Sequence, residues 1–208
     1  KDTLSLHDAL PICHLSRYKE ILNGSGFTGY RHTIHLEDRN PNDIRCEARS
    51  LIQINPGGRI IVPSFGEPEY VDSFDPLPEL IRPRDGILTP EITGSRQYKI
   101  GIKSSNTIGR VCYLTPFTRS EHALIIRSFH NDPALPYSDE PPLEPGSSGF
   151  SMHIYNDDGR LGGFGEMENM GKPVGGSAAR RRSIDTFELW IYHGTRKQLD
   201  AISNHLLG

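Results

Sequence analysis

Glycine and proline are scattered along the whole chain, 21 and 16 of them, and they cut it into short apolar runs. That punctuation constrains the fold more than any other feature, because many short strands joined by turns tolerate such breaks and a helical bundle does not. Residues 29–36 (GYRHTIHL) read as a strand, followed by the polar turn 37–43. Residues 44–54 and 59–63 read as two more, on either side of the turn Asn55-Pro56-Gly57-Gly58. Further strands are expected at 97–102, 109–115, 123–129, 150–155, 163–168 and 186–192. Segments 64–85 and 130–149 are rich in proline and acids and read as long surface loops. One segment, 196–207, has Leu199, Ile202, Leu206 and Leu207 near helical spacing, with Thr195 as its N-cap. The expectation is an all-β fold, a twisted antiparallel β-sandwich with a short C-terminal helix.

Residues 2–12 (DTLSLHDALPI) match the translation of a common short-read sequencing adapter. They and Lys1 are therefore set aside, together with the site-like His7 and Asp8. Residues 13–208 are expected to form a single β-sandwich domain that is incomplete at its N-terminus. A signal peptide would be lost with the true N-terminus, so the sequence leaves the compartment open.

A formal charge of -3 and a pI near 6.3 give no reason to expect nucleic acid or an anionic membrane surface. No apolar run approaches the roughly 18 residues that a membrane-spanning helix needs. Cys13, Cys46 and Cys112 lack paired metal-ligand spacing. His32 and His35 are three apart, so on a strand they face opposite ways. No metal or cofactor is expected. Oligomeric state is not legible.

The densest chemical signal is the segment 163–171, GFGEMENMG. Glu166 and Glu168 are two apart, so on a strand both carboxylates project from one face. The flanking glycines let a ligand approach the backbone. Such a pair suits hydroxyl recognition or proton abstraction. The same spacing also fits two solvated acids on the outer face of a half-buried strand.

Three blocks, in this order, resemble the galactose mutarotase-like (aldose 1-epimerase) superfamily. They are HLEDRNPNDIRCEARSLIQINPGGRIIVP, then GSRQYKIGI with RVCYLTPF and ALIIRSF, then IYNDDGRLGGFGEMENMG before a late strand and a closing helix. The resemblance implies a large twisted β-sandwich that binds a sugar in a cleft on one sheet face. It places Glu166 on the family's general base, with Glu168 as the alternative register. The family's acid is a histidine on the strand before the Gly-rich turn. Here that strand reads EARSLIQI and offers Gln53, which can bond a hydroxyl but cannot deliver a proton. His153 and His130 are the candidate replacement acids. Glu168, Gln53, Arg96, Tyr137 and Asn156 are the candidate sugar-binding residues. The missing histidine favours a carbohydrate-binding protein over an epimerase. A structural or protein-interaction β-domain is the third reading.

Overall fold

The computed structural model describes residues 24–39, 44–137, 149–178 and 180–207. The adapter-like segment 2–12 and most of the second Pro-rich loop lie outside the described residues. Among the described residues, twelve strands form two antiparallel sheets. They are β1 (Gly26–Glu37), β2 (Arg49–Ile54), β3 (Gly58–Pro63), β4 (Tyr70–Asp72), β5 (Ile81–Arg84), β6 (Ile87–Ile92), β7 (Tyr98–Lys103), β8 (Arg110–Pro116), β9 (His122–Phe129), β10 (Phe150–Asn156), β11 (Gly165–Met170) and β12 (Arg182–Gly194). A seven-stranded sheet has the order β1-β12-β9-β8-β3-β6-β5, and a five-stranded sheet the order β2-β11-β10-β7-β4. The helix α1 (Arg196–Leu207) closes the chain. This is the expected all-β sandwich with one short C-terminal helix.

Strand alternation builds the core. Ile60, Val62, Val111, Tyr113, Phe129 and Phe187 from the larger sheet meet Ile54, Ile100, Ile102, Met152, Ile154 and Met167 from the smaller one, all buried in a single cluster. Burying a side chain of this size is worth roughly 1.5–3 kcal/mol, so this layer supplies most of the drive to fold. One charge crosses it. Arg127 of β9 is buried, and its guanidinium donates to the carbonyls of Met167 (2.8 Å) and Ser50 (3.3 Å) and to the Ser50 hydroxyl (2.6 Å). It ties the two sheets together at the β2–β11 edge.

Part of the outer face of the larger sheet, over β8, β9 and β12, is covered by α1. Cys112, Leu114, Leu124, Ile126 and Tyr192 pack with Leu199 and Ile202. Thr195 caps the helix as expected. Gln198 Oε1 accepts from the Thr195 backbone N–H (2.9 Å) and hydroxyl (2.7 Å), and the Gln198 N–H reaches back to Thr195 Oγ1 (3.4 Å). This reciprocal arrangement is a capping box.

The expected 64–85 loop is different in the structure. It contains β4 and β5, and β6 follows directly. Asp85 (φ 51°) and Gly86 (φ 75°) join β5 to β6. Two consecutive positive φ angles make the two-residue turn that matches strand twist in a hairpin. Pro83 and Pro90 conceal these strands in the sequence. Pro83 lies on an edge strand, where a missing N–H is tolerated. Pro90 faces a gap in the β3–β6 ladder, which pairs Gly58 and Arg59, then resumes at Val62 and Pro63.

Candidate functional site

The five-stranded sheet presents a different outer face. The β2–β11–β10–β7 registers align side chains in two rows across it. The first row runs Gln53, Glu166, Tyr155, Lys99. The second runs Leu51, Glu168, His153, Gly101, and ends on Val71 of β4. Glu166 and Glu168 share a face because both alternate with Met167, which points into the core.

The two carboxylates have unlike surroundings. Glu168 is 1% exposed. Arg49 of β2 makes a short ion pair with it, and Lys99 Nζ lies 4.0 Å from its other oxygen. A buried carboxylate needs such compensation to stay charged. Glu166 is half-buried and accepts from Gln53 Nε2 at 3.1 Å. It is the carboxylate of the pair that a ligand can reach.

His153 is buried directly across from Glu168. Its ring stands edge-on to Phe150, with centroids 5.4 Å apart. Gly101 makes this possible, because a β-carbon there would lie 2.3 Å from the Phe150 ring. Tyr155 sits between Glu166 and Lys99 in the first row. Its hydroxyl accepts from Gln97 Nε2 and donates to Asp157 Oδ1, both at 3.1 Å. Burial, helped by the Asp157 charge, raises the phenol above its ordinary range. Burial acts to raise the Asp157 carboxyl too. It is outweighed by N–H bonds from Gly163, Leu161 and Gly159, which hold Asp157 below its usual value. That Asp157 loop braces the rim of the first row.

The structure therefore gathers Glu166, Glu168, Gln53 and His153 on one sheet face. Four other candidates lie elsewhere. His130 follows β9 and lines a cavity on the larger sheet. Tyr137 is buried, its hydroxyl accepts from the Asp132 N–H (3.1 Å), and burial pushes it up to about 12. Asn156 is buried, with Oδ1 accepting from the N–H groups of Thr93 (2.9 Å) and Gly94 (3.0 Å), so it fastens the β6–β7 turn. Arg96 sits in that turn and pairs with Glu79 at 3.3 Å.

Arg49, Lys99 and Tyr155 complete the face and were not singled out from sequence. Each lies in a strand with clear alternation, but their meeting depends on which strands become neighbours. Among the described residues, no group of three His, Cys, Asp or Glu side chains is placed to hold a metal ion, and no helix is long and apolar enough to cross a membrane.

Fold and face together define an all-β sandwich whose larger sheet is partly covered by a helix and whose smaller sheet presents a polar outer face. No protein family, no curated protein and no solved structure matches this chain.

Proposed function

We propose that this protein binds a carbohydrate on the outer face of the five-stranded sheet. The observation that carries the reading is the row Gln53–Glu166–Tyr155–Lys99. It sets an amide, a carboxylate, a phenol and an ammonium group side by side on adjacent strands, about 5 Å apart. A sugar offers hydroxyls that donate and accept, so it needs mixed partners of this kind held rigidly. Leu51, exposed beside them, supplies apolar contact for the ring's C–H surface.

The experiment is calorimetric titration with a panel of neutral and charged mono- and oligosaccharides. Hydrogen bonds to charged groups contribute roughly 1.5–3 kcal/mol. Glu166→Gln should therefore weaken binding about 10–100-fold. Absence of binding across the panel would sink the reading.

One observation favours a second reading, sugar epimerisation. His153 stands across the strand pair from Glu168 and one register step from Glu166, so a base and an acid share one face. Glu166 suits the base better than Glu168, which is held between Arg49 and Lys99. Measurement of anomer exchange by NMR separates the two readings. A positioned acid or base contributes about 10²–10⁴-fold. Exchange that Glu166→Gln abolishes and His153→Asn slows would make the protein an enzyme of the aldose 1-epimerase type. Binding without faster exchange leaves it a binding protein.

A further inference from the structure

The larger sheet holds a second site, independent of the carbohydrate reading. Strand β12 outruns its neighbour: the β9–β12 ladder ends at Phe129–Phe187, so residues 182–186 of β12 extend past the end of β9. Lys172 fills the notch. Its backbone N–H is held by Asp185 Oδ1 (2.9 Å), and its Nζ donates to the carbonyl of Ile184 (2.9 Å). His130, the residue after β9, also lines it. The result is a cavity of about 250 Å³, with Arg31, Ser128, Phe129, Ile184, Thr186 and Glu188 completing its lining. That is room for roughly eight waters at ~30 Å³ each, or for one compact ligand.

The chemistry of the lining selects the ligand. Arg31, Glu188, Ser128 and Arg110 form one cross-strand row on the outer face. Glu188 is buried and already compensated: Arg31 pairs with it at 2.6 Å, and Trp190 Nε1 lies 3.4 Å from its second oxygen. Arg31 thus balances the cavity's one carboxylate. Lys172 is left as net positive charge in the lining, with Arg110 adjoining in the row. The Ser128 hydroxyl oxygen is buried and has no hydrogen-bond partner among the described residues, a group that native structures rarely leave unmet. A cation would meet Lys172 and a neutralised Glu188. An anion would meet an ammonium with donors to spare and a hydroxyl that lacks an acceptor.

We propose that the notch beyond β9 binds a compact oxyanion, the phosphate or carboxylate group of a small molecule. Lys172 supplies the charge and Ser128 a hydroxyl donor, with the Thr186 hydroxyl, which shares a hydrogen bond with Thr33 (3.3 Å), beside them. The test is an NMR titration of the intact chain with inorganic phosphate and, separately, with acetate, against chloride at equal ionic strength. Saturable shifts at Ser128, Lys172 and Thr186 are expected with at least one oxyanion, with a Kd in about the millimolar range. Saturation by phosphate alone assigns a phosphate group, and saturation by both extends the site to carboxylates. Lys172→Gln should weaken binding about tenfold and Ser128→Ala several-fold, in chains whose spectra stay folded. Shifts no different from those with chloride, or a Lys172→Gln chain that binds like the parent, would overturn the proposal.

Discussion

The outer faces of the two sheets use the same alternation toward opposite ends. On the larger sheet, every second residue of β8, β9 and β12 beneath α1 is apolar, and the helix covers them. On the smaller sheet, the outward positions of β2, β11, β10 and β7 include Arg49, Gln53, Glu166, Glu168, His153, Tyr155, Lys99 and Lys103. The first face spends its side chains on stability. The second would be an inefficient way to gain stability, because ion pairs at a surface contribute little and buried ones offset their own desolvation. The smaller sheet keeps buried and half-buried charges in ordered rows across its outer face, and on the larger sheet such a row, Arg31–Glu188–Ser128–Arg110, lies beyond the apolar patch that α1 covers.

The comparison can be broken most forcefully with alkali. Burial pushes the Cys112 thiol and the Tyr192 phenol each up to about 12, from ordinary values of 9.0 and 10.0. Both groups lie under α1. A raised folded pKa means that the unfolded chain loses its proton first. The stabilisation is whole below about pH 9 and is lost as pH rises from there toward 12. Circular dichroism followed through alkaline titration should show α1 lost in that window. At the acid end the sign reverses. Asp157 is held below its usual value, so its contribution exists above about pH 4 and fades as pH falls further. The Asp157 loop beside the polar face should loosen first in acid.

Truncations sharpen the contrast further. Leu124→Ala, buried beneath α1, should cost about 3 kcal/mol in denaturant unfolding, as core leucine deletions do. Arg49→Ala removes the main partner of a buried carboxylate and should cost about 2 kcal/mol. That is less than a fully buried pair would lose, because Lys99 remains and Arg49 is partly solvated. Thr195→Ala breaks the capping box and should cost about 1 kcal/mol. Leu51→Ala, on the polar face and 43% exposed, should stay within about 0.5 kcal/mol. A loss at Leu51 as large as at Leu124 would mean that the two faces do not differ as described.

Much of this was legible in the sequence, and the parts that were not share a cause. Period-two alternation and turn residues gave the sandwich, and the Leu199–Ile202 spacing with Thr195 gave the helix. Alternation also put Glu166 and Glu168 on one face, as β11 has them. Pro83 and Pro90 disguised β5 and β6, because whether a strand proline is harmful depends on its neighbours, and neighbours are a property of topology. The same gap affected the site. His153, within an expected strand, and His130, opening an expected loop, were both candidate acids, yet one lies on the smaller sheet and the other beside the larger. Arg49, Lys99 and Tyr155 join the acids only through register across four strands, which no local pattern encodes.

The most direct test of the account is an NMR titration of the isotope-labelled chain with the best-binding sugar of the panel. Shifts should cluster at Gln53, Glu166, Tyr155 and Lys99, leave α1 and the strands beneath it unmoved, and weaken about 10–100-fold in Glu166→Gln. Shifts that gather on the helix-covered sheet, or binding that survives Glu166→Gln unchanged, would contradict it.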